Sequence, residues 1–231
     1  MENNKKKGSP LEDLLGKLLI TTVVAGVVLL CICALLSFIV EKIGGEETVA
    51  NAGGIVKQPE IEEMFLTPNQ YSRSQKELEH VKGIVVHYTA NPGSSAEANR
   101  NYFENLKNKK TKYASSHFIV GLEGEIVQCI PLDEIAYASN ERNVDTVSIE
   151  CCHEDASGKF NEETYESLVH LVAWLCDEYG LEKEDIIRHY DVTGKACPKY
   201  FVDHKKEWNK FKNKVFAYIE SQRVKLEPAG E

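Results

Sequence analysis

The sequence lacks an excess of basic residues. Its 27 Lys and Arg stand against 36 Asp and Glu, a formal net charge of −9 over 231 residues. Binding a phosphate backbone calls for clustered cations, so nucleic acid is excluded as a partner. It also lacks a paired cysteine set. Of seven cysteines, Cys31 and Cys33 lie in an apolar run, leaving Cys129, Cys151, Cys152, Cys176 and Cys197. An odd number does not form a disulfide framework, so buried free thiols are expected, with one left over as a metal ligand. Internal repeats and low-complexity blocks are absent as well, which excludes a repeat architecture.

Charge is missing altogether from Leu18 to Val40, LLITTVVAGVVLLCICALLSFIV. At about 1.5 Å per residue a helix of this length spans the hydrocarbon core of a bilayer, roughly 30 Å. Lys5, Lys6, Lys7 and Lys17 precede it, while Glu41, Glu46 and Glu47 follow with only Lys42 between them. The positive-inside rule therefore predicts a cytoplasmic segment 1–17, a transmembrane helix 18–40 and everything later outside the cell membrane. The alternative is secretion after cleavage near Ala52, at "ANA". The apolar run exceeds the usual core of a cleavable signal, which favours the anchor.

Residues 41–80 are polar and broken by Gly44, Gly45, Gly53, Gly54, Pro59 and Pro68, which predicts an extracellular tether with an arm at "EEMFLTPNQYS". From residue 81 to 222 the pattern is that of a globular domain, with a short tail at 223–231. "GIVVHYT" reads as a buried strand, and Ser95 caps a helix carrying Ala96, Tyr102, Phe103 and Leu106. "SSHFIVG", "LEGE" and "EIVQCIP" read as a hairpin, and "DTVSIECC" as a further strand. Asn161 and Gly180 bound a helix from Glu162 to Tyr179 with Tyr165, Leu168, Leu171, Val172 and Leu175 on its apolar face. "DIIRHY" is a short strand, and a last helix near Asp203–Ser221 turns Trp208, Phe211, Val215 and Ile219 inward. Strands interleaved with helices imply an α/β domain with a central mixed β-sheet flanked by helices. It is expected to act as a monomer.

"RHYDVTGKACP" puts His189, Lys195 and Cys197 on one short stretch. His87 ends a strand, and His189 follows one. Two imidazoles and a thiolate would leave a fourth tetrahedral position of Zn2+ open to water, the pattern of a catalytic site. The thiolate leaves such a site at a formal +1, so its water is less acidic than with three neutral ligands and a helping base becomes useful. Glu150 is the candidate base. Alternation on "VSIECC" puts Val147, Ile149 and Cys151 on one face and Ser148, Glu150 and Cys152 on the other. A strand glutamate between Ile149 and Cys151 needs a partner, either a salt bridge or a reaction. Lys195 is either a solvated turn residue or an oxyanion stabiliser. His117 either lines the cleft or is a hydrogen-bonded strand residue. Thr89 and His117 are the substrate-binding candidates.

"GIVVHYTANPGSS", "ASSHFIVGLEGEIVQCIP", "VSIECCHED" and "RHYDVTGKACPKYF", in that order, resemble the zinc-dependent N-acetylmuramoyl-L-alanine amidases of type 2. These are related to peptidoglycan recognition proteins and phage amidase-type lysozymes. The resemblance covers about residues 60 to 220. It implies a substrate groove over zinc and hydrolysis of the amide between the lactyl group of N-acetylmuramic acid and L-alanine in peptidoglycan. It puts the zinc ligands on His87, His189 and Cys197, the catalytic Lys on Lys195 and the base on Glu150. One departure stands out: the phage-type branch has a Tyr where this chain has Ser116, so a Tyr-assisted mechanism is not expected. Two rival readings remain at this level: a non-catalytic peptidoglycan-binding module, and a structural zinc protein with Cys152 closing the shell.

Overall fold

The computed structural model describes residues 54–226. The apolar run Leu18–Val40, the N-terminal segment, residues 41–53 of the linker and the tail from 227 lie outside the described residues. Among the described residues no helix is long and apolar enough to cross a membrane.

Six strands form one mixed sheet: β1 (Glu62–Glu63), β2 (Ile84–Tyr88), β3 (Phe118–Val120), β4 (Ile126–Gln128), β5 (Val147–Cys151) and β6 (Ile186–Arg188). Their order is β1-β4-β3-β5-β2-β6, and only β3 and β4 pair antiparallel. That pair is the expected hairpin. The helices are α1 (Ala96–Lys109), α2 (Glu162–Tyr179), α3 (His189–Thr193), α4 (Lys199–Asp203) and α5 (Lys205–Leu226).

The predicted caps form. Ser95 Oγ accepts the Ala98 N–H at 3.1 Å, and Asn161 Oδ1 accepts the Thr164 N–H at 2.9 Å. Gly180 closes α2 at φ 63°, a left-handed conformation cheap only for glycine. The terminal helix is present as Lys205–Leu226, and a short helix not expected, α4, precedes it, separated by His204, whose backbone leaves helical geometry. The His204 carbonyl accepts from Glu207 and Trp208, and its ring stacks on Tyr200, so it starts α5.

The two faces of the sheet carry separate cores. Ile84, Val86, Val147, Ile149 and Cys151 meet Leu168, Leu171 and Leu175 of α2 and Trp208, Phe211 and Val215 of α5. On the opposite face Ile119, Val127 and Cys129 pack with Phe103 and Leu106 of α1 and with Leu66. The alternation read from "VSIECC" holds, because Cys151 joins the first core and Cys152 the second.

The stretch expected to be a tether up to residue 80 is, from residue 54 on, part of this domain. Val56, Leu66 and Leu78 are buried. β1 adds to β4 in parallel, and the Met64 and Leu66 N–H groups carry the pairing on to Gln128 and Cys129 at 2.9 Å. Helix α1 grips the same arm. Arg100 donates to the Met64 and Phe65 carbonyls, and Glu104 accepts from the Thr67 backbone and hydroxyl. Polar composition concealed this because three well-spaced apolar residues anchor the arm, and they follow no strand or helix period.

His117 is one of the bonds across the second face. It is 1% exposed, with Nε2 2.9 Å from the Glu134 carbonyl and Nδ1 receiving the Ser148 N–H at 3.0 Å. That pattern needs the neutral ring with its proton on Nε2. Burial pushes its pKa down to about 4, opposed by the Glu134 carbonyl.

Two outcomes follow. Leu66→Ala should cost about 3 kcal/mol in urea unfolding, as for other fully buried leucines. His117 is depressed in the folded state, so the unfolded chain binds the extra proton. Its contribution is full above pH 6.5 and is lost as pH falls from there to about 4. The loss attributable to His117 is about 3 kcal/mol, and urea midpoints for His117→Gln should show a flatter acid limb.

Candidate metal centre

Strands β2 and β5 lie side by side in parallel, and their register sets His87 opposite Glu150. Both residues point away from the core under α2 and α5, at the carboxyl ends of their strands, where open α/β sheets bind ligands. Next to β2 on its other edge, β6 runs straight into α3, whose first residue is His189. Gly194 ends α3 at φ 77° and turns the chain back, so that the Tyr190 N–H reaches the Cys197 carbonyl at 2.9 Å. The "RHYDVTGKACP" stretch is therefore a folded hook that returns Cys197 to His189.

His87, His189 and Cys197 converge, each buried, with one potential ligand atom apiece within 4.8 Å of the others. His87 Nδ1 is 3.1 Å from His189 Nδ1 and 3.8 Å from Cys197 Sγ. Ligands at ordinary zinc bond lengths in a tetrahedron sit about 3.3 Å apart for two nitrogens and about 3.6 Å apart for nitrogen and sulfur. The donor set fits a divalent ion of that kind. Behind it, His87 Nε2 lies 3.1 Å from the buried Ser139 hydroxyl. A proton held on Nε2 leaves the Nδ1 lone pair free toward the cluster.

Electrostatics point the same way. Burial pushes the His87 pKa well down, helped by His189 and Lys195, and lowers that of His189 too. Both rings are neutral, the form that binds metals. Burial pushes the Cys197 thiol up to about 12, with Glu150 adding to it and the Tyr88 backbone N–H and Lys195 opposing. A bound cation would reverse that bias and hold the thiolate. Burial likewise pushes Glu150 up to about 8, with Lys195 opposing, and its Oε2 atom is buried without a hydrogen-bond partner. The salt-bridge explanation of Glu150 fails, since no bond to a cation satisfies that oxygen. A buried unpaired carboxylate oxygen beside an open donor cluster is placed to meet something from the cleft.

The cleft over the cluster has a volume of about 480 Å³. Thr89, Glu150, His189 and Lys195 all line it, and the Thr89 hydroxyl also lacks a partner. His117 does not line it. Of its two readings the geometry is that of a hydrogen-bonded strand residue, and its assignment to substrate binding is corrected: both ring nitrogens are used by the protein. Ser116 is buried and its hydroxyl donates to the Phe118 carbonyl at 2.9 Å, so no hydroxyl replaces the missing Tyr. Cys152 stands outside the cluster and receives Asn99 Nδ2 at 3.6 Å, which removes it as a fourth ligand. The five cysteines among the described residues are free and buried.

Sequence reasoning missed Ser139, and with it Asn143, whose side-chain oxygen accepts the Ala138 and Ser139 N–H groups at 3.0 and 2.6 Å. The polar "SNERN" stretch was the available signal, but nothing in its spacing points at His87. It also missed the tyrosines of the cleft, Tyr102, Tyr113 and Tyr137.

Comparison with known proteins agrees with this site. A family model described as N-acetylmuramoyl-L-alanine amidase matches residues 77–200, more than half of the chain. A probable N-acetylmuramoyl-L-alanine amidase of Bacillus licheniformis is 37% identical over 178 residues, covering 72% of this chain and 50% of the relative. The amidase BlyA of Bacillus subtilis strain 168 is 34% identical over 181 residues, covering 69% of this chain and 48% of the relative. The chain thus spans about half the length of the curated relatives it matches. Among solved structures, PlyL superposes with TM-score 0.59 at 25% identity, covering 68% of this chain and 97% of PlyL. The catalytic domain of XlyA superposes with TM-score 0.57 at 26% identity, covering 68% and 99%. The chain belongs to the N-acetylmuramoyl-L-alanine amidase family.

Proposed function

We propose that this chain is a zinc-dependent hydrolase of peptidoglycan that cleaves the amide between the lactyl group of N-acetylmuramic acid and L-alanine of the stem peptide. The observation that carries the proposal is the convergence of His87, His189 and Cys197 beside the unpartnered Oε2 of Glu150. Those three side chains would hold Zn2+, which when bound supplies Lewis acidity and lowers the pKa of water.

The chain's own groups do the rest. Glu150 receives the proton of the attacking water at Oε2, the atom without a partner, and delivers it to the departing amine nitrogen. Burial raises its affinity for a proton and a bound cation would draw it back, which would suit it to do both near neutral pH. Lys195 lines the same cleft, and its charge acts on His87, His189, Glu150 and Cys197. Its ammonium is placed to stabilise the developing oxyanion. Thr89, with an unused hydroxyl in the cleft, is a substrate contact. A binding module without catalysis would have no use for a carboxylate kept desolvated and unpaired, so the enzyme reading is preferred.

We also propose that Leu18–Val40 anchors the chain in the cell membrane with the domain outside. The charge asymmetry around that run supports this orientation, and it sets the domain on the side where peptidoglycan lies.

Glu150→Gln should lower kcat on purified peptidoglycan by about 10²–10⁴-fold while zinc content, read by atomic spectroscopy, stays at one ion per chain. Cys197→Ser should lose both the ion and the activity. Ser139→Ala should weaken zinc affinity by about 10–100-fold in a competition titration, because it frees the His87 ring. Undiminished turnover in Glu150→Gln would remove that residue from the mechanism.

A further inference from the structure

The cleft does not end at the metal centre. A second groove, of about 580 Å³, is formed by the arm residues Asn69, Gln70, Ser74 and Gln75, and it shares Tyr113 and Tyr137 with the first. The two cavities therefore adjoin across a ridge of these two tyrosines. Tyr113 stands 5.4 Å from Tyr71 of the arm and 5.6 Å from Tyr137, and 59% of it is exposed. Backbone bonds tie the chain just after Tyr113 to the other two tyrosines: the Ala114 N–H meets the Tyr71 carbonyl at 3.0 Å, and the Ser115 N–H meets the Tyr137 carbonyl at 3.1 Å. A large aromatic face that is exposed yet fixed at its base is a prepared contact surface.

Most polar groups of the arm groove are neutral or paired, and Lys76 is the exposed cation among its lining residues. Arg73 is engaged by Glu134 through two bonds at 2.9 and 2.7 Å and by the Leu66 carbonyl at 2.9 Å. Asn69 is consumed by its own turn. The Ser74 hydroxyl is buried without a partner. Gln75 is exposed and held at φ 58°, a conformation that costs a non-glycine residue energy and that persists where surrounding structure demands it. In the first cavity Lys112 lies 5.1 Å over the Tyr102 ring.

We propose that the arm groove and the Tyr113–Tyr137 ridge form an additional glycan subsite, which takes a saccharide next to the one bearing the scissile amide. This rests on the amidase reading of the cleft. Such a substrate leaves the reacting centre in two directions, one a peptide ending in carboxylates, the other a chain of N-acetylated sugars without cationic groups. Sugar rings present apolar faces to aromatic side chains and hydroxyl and acetamido groups to neutral amides and hydroxyls. The tyrosine faces and the neutral side chains of Gln70, Ser74 and Gln75 match the glycan. The subsite joins arm residues that precede the 77–200 stretch of the family match to Tyr113 and Tyr137 within it.

The test compares kcat/KM on a monosaccharide muramoyl-peptide with that on a tetrasaccharide of the same stem peptide. The intact chain should favour the tetrasaccharide, and Tyr113→Ala should reduce that ratio about tenfold, the effect of one lost aromatic stack. Tyr113→Phe should retain it. Gln75→Gly, which suits the backbone at that φ, should lower it too. An unchanged ratio in Tyr113→Ala, or a loss that follows stem-peptide length and not glycan length, would overturn the subsite. Calorimetry of a peptide-free tetrasaccharide with Glu150→Gln reads the subsite apart from catalysis. Binding weakened by adding Tyr113→Ala upholds it even if the intact chain cleaves neither substrate, and no binding refutes it even if both are cleaved.

Discussion

The parallel pairing of β2 with β5 is the constraint on which the site depends. Their register puts His87 beside Glu150, on the sheet face away from α2 and α5. A slip of one residue in either strand would turn His87 or Glu150 into the core under α2 and α5 and bring Val86 or Ile149 to the cleft. The register is secured from the far side, where Ile84, Val86, Val147 and Ile149 pack into one continuous core. Burial on one face thus fixes chemistry on the other. The same pairing places β6 on the free edge of β2, so that a chain leaving β6 delivers His189 within bonding reach of His87.

The four central groups share one electrostatic bias. Both imidazoles, the Cys197 thiol and the Glu150 carboxyl are all driven toward their neutral forms by burial. Apolar packing of such groups with no ion to serve would be hard to justify energetically, because unpaired buried polar atoms cost free energy. A divalent cation held by His87, His189 and Cys197 would resolve three of the four at once. The fourth, Glu150, keeps an oxygen free for a proton, which is the property a general base requires.

The arm gives the domain a second function beyond covering an edge. Its pairing through β1, the grip of Arg100 and Glu104, and the Arg73–Glu134 pair fix it to the sheet, to α1 and to the segment after β4. A segment tied at three places is rigid enough to form the wall of a cavity. Its glutamine side chains line a groove that shares Tyr113 and Tyr137 with the cleft at the metal centre.

Local chemistry determined much of this protein. The caps at Ser95, Asn161 and Gly180, the hairpin before and after "LEGE", the alternation on β5 and the strand-end position of His87 all follow from interactions among residues close in sequence, and the structure has them. The donors His87, His189 and Cys197 were also legible, through their residue types and through resemblance to a family. Tertiary structure alone decided the rest. Whether Glu150 had a salt-bridge partner, whether His117 faced the cleft, and whether Cys152 closed the metal shell turned on neighbours 17 to 53 residues away or on the absence of one. Ser139 behind His87, and an arm held by Val56, Leu66 and Leu78, left no periodic trace, because contacts between distant segments obey packing and hydrogen-bond satisfaction and not chain spacing.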